Sequence, residues 1–100
     1  MAELDRPTRP VPRPLPALLT GENADVYFLR TERVLVGEER NPVVTMEVFC
    51  RRAGATLCGI NEAKGLLSIA LEADAAAGKA AVWALKDGDL IEAKEVVLRI

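Results

Sequence analysis

No histidine occurs among the 100 residues, and only four are aromatic: one Trp, one Tyr and two Phe. Without histidine the chain cannot build a His-based triad, a His-rich metal site or a histidine pH switch. Its single serine, Ser68, lies in a helical pattern with no imidazole to activate it. Cys50 and Cys58 are too few for a disulfide scaffold, and without a second pair they lack the spacing of a structural zinc site. They read as two buried thiols in a reducing cytosol. No apolar run approaches the roughly 18 residues that span a bilayer. The start, MAELDRPTRP, has no apolar run behind it and does not read as a signal peptide. The expectation is a cytoplasmic protein with no membrane partner. Thirteen basic and fifteen acidic residues leave a net charge of −2. No basic field marks a nucleic-acid surface, so nucleic acid is not an expected partner. Neither a dinucleotide G-x-G-x-x-G loop nor a phosphate loop with Lys and Ser/Thr is present.

What remains is globular. Half of the residues are apolar and 28% are charged, which is not the profile of a disordered chain. The length bounds the chain to one domain or a piece of one. A fold of this size hides only about 60–65% of the surface its unfolded chain exposes. With aromatics scarce, Ala, Val and Leu must fill the core.

Five of the six prolines fall at positions 7, 10, 12, 14 and 16. Proline lacks the amide donor and fixes its own φ, which excludes helix and central strand. Residues 1–17 therefore read as a flexible, proline-rich tail, and VPRPLP favours an extended polyproline conformation. The domain is expected over 18–100. Thr20 or Asn23 caps a helix from about Glu22 to Leu35, ended by Gly37 and the charged GEER segment. After Asn41-Pro42, VVTMEVFC reads as a strand, with Val44, Met46, Val48 and Cys50 forming one apolar face. Residues 51–54 form a turn, and ATLCG reads as a short strand or the approach to a helix. That helix runs from about Ile60 to Ala77, with Asn61 as a candidate cap and Glu62 and Lys64 solvated. Gly65 inside it costs up to about 1 kcal/mol against alanine, which close packing against the sheet would explain. Strands are expected over 79–86, at Leu90-Ile91 and from Val96, separated by turns at 87–89 and 92–95. The last strand runs to Ile100, which implies that it is central or that the domain is incomplete there. The fold class is α+β, with helices packed on a small mixed or antiparallel sheet.

Few residues suggest chemistry. Asp87 and Asp89 bracket a glycine and read as a turn, since no calcium-loop spacing follows. Arg51 and Arg52 leave the end of the first strand, where paired arginines can grip carboxylate or phosphate oxygens. Tyr27 stands near the start of a helix beside Asp25 and Arg30, and it either packs or offers a flat ring to a planar ligand.

Four blocks in order, ADVYFLRT (24–31), NPVVTMEVFCRR (41–52), GINEAKGLL (59–67) and AVWALKDGDLIEAKEVVLRI (81–100), resemble the N-terminal region of nicotinate phosphoribosyltransferases. The resemblance covers everything after the proline-rich tail and extends more loosely to the quinolinate enzymes. It implies an N-terminal α/β sandwich without the barrel that follows it in the full enzymes. Those enzymes make nicotinate mononucleotide from nicotinate and phosphoribosyl pyrophosphate for NAD synthesis, with Mg2+ and often with coupled ATP hydrolysis. They are oligomers with active sites at subunit interfaces. The resemblance implies that Tyr27 reaches a partner's site and stacks on the pyridine ring, with Asp25 and Arg30 on the same interface. It makes Arg51 and Arg52 weaker candidates for lining the approach. No catalytic residue, metal ligand or cofactor is expected of this chain alone. Its partner would be a barrel, either in cis or as a separate subunit, and the isolated chain is expected to be inactive. A fragment, one half of a split enzyme and a remnant all fit this expectation.

Two rival readings stand beside it. One is a lipoyl- or biotinyl-like carrier, suggested by the turn-strand rhythm of DGDLIEAKEVVLRI, with Lys86 or Lys94 as the attachment point. The other is a non-catalytic oligomerisation or regulatory domain.

Overall fold

The computed structural model describes residues 3–100. The chain divides into two compact units. One comprises the residues up to Arg13 together with Thr45–Ile100; the other is Pro14–Val44.

The smaller unit holds two helices. Helix α1 (Pro16–Thr20) has its proline at the first position, where the missing amide costs nothing, and Gly21 ends it at φ 81°. Helix α2 (Val26–Gly37) starts later than the periodicity predicts, because Asp25 caps it rather than Thr20 or Asn23. The Asp25 carboxylate accepts from the Tyr27 amide at 3.4 Å. The helix ends at Gly37 and the charged segment that follows, as expected. The left-handed residue is Glu39, at φ 53°, and the amides of Glu38 and Arg40 donate to Val34 and Leu35 carbonyls. No residue of α1 or α2 is buried.

The larger unit carries the core. Strands β1 (Glu47–Phe49), β3 (Trp83–Ala84) and β5 (Val96–Arg99) form an antiparallel sheet in the order β1-β5-β3, and β2 (Ala55–Thr56) pairs with β4 (Leu90–Ile91). The last strand is thus the central one. Pairing of β1 begins only where Met46 and Ile100 exchange amide and carbonyl at 2.8 and 2.9 Å. The expected apolar face is not a core face, for Val44, Met46 and Val48 are all exposed. A bulge shifts the register between Val48 and Phe49.

The expected helix over 60–77 is two helices, α3 (Ile60–Ala70) and α4 (Glu72–Ala76), with Leu71 between them at φ −109°. The break leaves both Leu67 and Leu71 packed on the core of Leu57, Ile60, Val82, Ile91, Val97 and Leu98. Burying these aliphatic side chains contributes about 1.5–3 kcal/mol each. Cys50 is half-buried, whereas Cys58 is exposed, contrary to the expectation of two buried thiols. None of the described helices is long and apolar enough to cross a membrane.

The proline-rich stretch departs most from expectation. Residues 3–11 do not hang free but lie on the larger unit as a strap. Leu4 makes a parallel bridge with Val82. The Val82 amide donates to Glu3 O at 2.8 Å, and the Asp5 amide donates to Val82 O at 3.0 Å. Beyond Asp5 the prolines leave few amides needing partners, so the segment crosses α3 without a continuous ladder.

Candidate functional site

The residues singled out by sequence separate into two groups. Asp25, Tyr27 and Arg30 stand together at the start of α2. Asp25 occupies the cap, and its bond to the Tyr27 amide fixes the first turn. Tyr27 and Arg30 are three residues apart and so share a helix face. Thr31 Oγ1 donates to the Tyr27 carbonyl at 2.8 Å, one turn on. The Tyr27 ring is 69% exposed, so it is not a core residue, and Asp25 and Arg30 are exposed with it. Phe28, Val34 and Val36 add further exposed apolar surface to the same helix. Arg51 and Arg52 lie in the other unit, exposed in the bend after β1.

A second cluster was not foreseen. The α3 N-terminus has no side-chain cap from its own flank, because the residue there is Gly59, left-handed at φ 89° and without a side chain to accept. Asp87 caps it from afar, its two oxygens accepting from the Ile60 and Asn61 amides at 2.8 and 3.0 Å. Those two amide bonds, with Arg9 a smaller contributor, hold the Asp87 carboxyl below the usual carboxylate range. The adjoining turn is closed by Asp89, which accepts from the Lys86 amide at 2.9 Å.

Next to this cap the strap is gripped by side chains of α3. Lys64, expected to be solvated, is only 4% exposed, and its Nζ meets Asp5 Oδ1 at 2.9 Å. The other Asp5 oxygen accepts from the Ala84 amide at 3.0 Å, tying the strap to β3 as well. Asn61, expected as a cap, is buried inside the helix. Its Oδ1 accepts from the Thr8 amide at 2.8 Å and its Nδ2 donates to the Arg9 carbonyl at 3.2 Å. Arg9 reaches toward Glu62 and Asp87 at 3.7 and 3.9 Å. A cavity of about 230 Å³ remains here, lined by Thr8, Arg9, Asn61, Lys64, Lys86 and Asp87.

Lys64 lies beside the apolar stripe of Ile60, Ala63 and Leu67. That was the one available signal, because a lysine buried near a core stripe requires a paired anion. Nothing in the sequence named Asp5 as that anion. Among the described residues no group of three His, Cys, Asp or Glu side chains is placed to hold a metal ion.

No individual curated protein and no solved structure gives a significant match to the chain. The domain family described as "Quinolinate phosphoribosyl transferase, N-terminal domain" matches residues 25–100, beginning at the α2 cap and including Tyr27, Arg30, Arg51 and Arg52. Asn61, Lys64 and Val82, which hold the strap, fall inside that match and the strap outside it. The α+β fold, with small antiparallel sheets, agrees with this assignment and not with an all-β carrier module. The chain belongs to the quinolinate phosphoribosyl transferase N-terminal domain family.

Proposed function

We propose that the chain works as the N-terminal part of a nicotinate phosphoribosyltransferase, which forms nicotinate mononucleotide from nicotinate and phosphoribosyl pyrophosphate in cytoplasmic NAD biosynthesis. The observation that carries this reading is the outward presentation of Tyr27 on a family-matched helix with no buried residue. A helix that rich in exposed apolar side chains is suited to a contact surface.

In this reading the Tyr27 ring stacks on the pyridine ring and fixes its nitrogen toward the anomeric carbon. Asp25 fixes the first turn of the helix that carries the ring, and Arg30 extends the same face toward a neighbouring subunit. Arg51 and Arg52 supply positive charge near the approach of the anionic substrates, where arginine can hold a carboxylate at two points. The ribosyl chemistry, its magnesium, and any ATP coupling belong to a barrel supplied in cis or by a separate subunit, in a homo-oligomeric enzyme. The 10.8 kDa chain by itself is inactive.

The test is kinetic. In the assembled enzyme, loss of a ring-stacking contact costs about 1–3 kcal/mol, so Tyr27→Ala raises the nicotinate KM or lowers kcat by roughly 5- to 150-fold. Tyr27→Phe retains most of the activity. Unchanged kinetics in Tyr27→Ala would leave the oligomerisation or regulatory reading in its place. Native mass spectrometry of the protein from its own cells identifies the barrel: a separate larger subunit, or the same polypeptide.

A further inference from the structure

We infer that the groove between the outer edge of β3 and the α3 face bearing Asn61, Lys64 and Gly65 is a binding site for an extended, aspartate-bearing peptide. Its own strap fills it, and the same segment of a second copy can take its place.

The groove recognises the strap by contacts that any peptide of that sequence can make. The main chain at Val82 pairs with residues 3–5 in both directions, as in addition of a strand to a free sheet edge. Lys64 supplies a buried positive charge for one carboxylate, the Asp5 side chain. Three residues further along, Asn61 reads the backbone of Thr8 and Arg9, accepting from the Thr8 amide and donating to the Arg9 carbonyl. Gly65 then gives room for Val11, whose Cγ2 stands 2.6 Å from where a Cβ would lie. Edge pairing, a charge anchor, an amide clamp and a steric notch therefore run in sequence along one line.

The link between strap and groove permits exchange. The strap rejoins its own unit only through Pro14–Val44, which forms a compact unit of its own. A segment tethered through those residues competes at an effective concentration in the millimolar range or below. A second copy's segment, making identical contacts, displaces it as protein concentration rises. Exchange of an identical element is a low-cost route to a dimer.

The test uses the full chain carrying Val11→Cys and Gly65→Cys, with Cys50→Ala and Cys58→Ser to remove the native thiols. A Cβ at position 65 lies 3.8 Å from Val11 Cβ, which matches the mean disulfide separation of about 3.8 Å. Isotope-labelled and unlabelled copies are mixed, equilibrated and oxidised, and the linked peptides are weighed. Exchange gives linkages of mixed mass between the two engineered positions. Their fraction rises roughly in proportion to protein concentration, and falls when an excess of the free peptide spanning residues 3–13 is added. Linkages only within one chain at every concentration would overturn the exchange. Failure of the two positions to link at all would overturn the groove itself. Neither result bears on Tyr27, so this inference fails independently of the proposed function.

Discussion

Gly65→Ala asks whether the strap sits where the structure places it. In a free helix the change is favourable by about 1 kcal/mol, because alanine loses less backbone entropy than glycine. Here the new Cβ would stand 2.6 Å from Val11 Cγ2, about 1 Å inside an ordinary carbon–carbon contact. Valine is short and stiff at χ1, so it cannot swing its methyl away cheaply. Relieving such an overlap costs about 1–3 kcal/mol. The strap cannot simply lift off, since that would strand the buried Lys64 without Asp5. The net expectation is a destabilisation of up to about 2 kcal/mol, or a fall in Tm of roughly 4–8 °C per kcal/mol. In a Val11→Ala background the crowding methyl is gone and the remaining Cβ lies at 3.8 Å. There Gly65→Ala stabilises by up to about 1 kcal/mol. Thermal and urea unfolding of the four proteins, followed by circular dichroism, measures this cycle. If Gly65→Ala raises Tm equally in both backgrounds, the strap does not pack on α3.

Other outcomes follow from the same contacts. Asp5→Ala destabilises more than Lys64→Met, because it leaves a buried ammonium unpaired; the loss falls at the lower end of about 3–5 kcal/mol, since the Asp5 side chain keeps 30% exposure and water reaches the pair. The opposite order in urea titrations would refute the pairing. The Asp87 carboxyl is held below its ordinary value near 3.8, so it adds stability above the unfolded-state pKa. That stability is lost as pH falls through the lowered folded-state value. Asp87→Asn therefore lowers Tm at neutral pH and flattens the acid limb of the Tm–pH curve; an unchanged limb would refute the remote cap. Tyr27→Ala shifts folding stability by no more than about 0.5 kcal/mol, as its exposure dictates, and a large loss would place the ring in a core. Removing the exposed Arg99–Glu47 pair, 2.7 Å apart, costs no more than about 1 kcal/mol, measurable by a double-mutant cycle.

Local rules were legible where they act between near neighbours. Asp87-Gly88-Asp89 makes its turn, the elements after the unforeseen α1 fall in the expected order, and Ile60 and Leu67 face the core as their spacing requires. The helix breaks at Leu71 rather than running on, and no proline or glycine stands there to announce it. The first strand is short because its length is set by β5 and not by the apolar run that contains it. Tyr27 stood out by scarcity and position, and its exposure agrees with a role outside the core.

The sequence by itself determined the α+β class, the family resemblance and the turns, because periodicity, turn chemistry and motif order are written along the chain. Only the tertiary structure decided the fate of residues 3–11. Their prolines exclude helix and continuous ladder, and that local fact is equally true of a free tail and of a strap. The choice was made by partners 52 to 79 positions away, Asn61 reading Thr8 and Arg9, and Ala84 donating to Asp5, together with Lys64 neutralising Asp5. A buried charge must find its counter-charge somewhere in the fold, but its own neighbours in sequence do not say where.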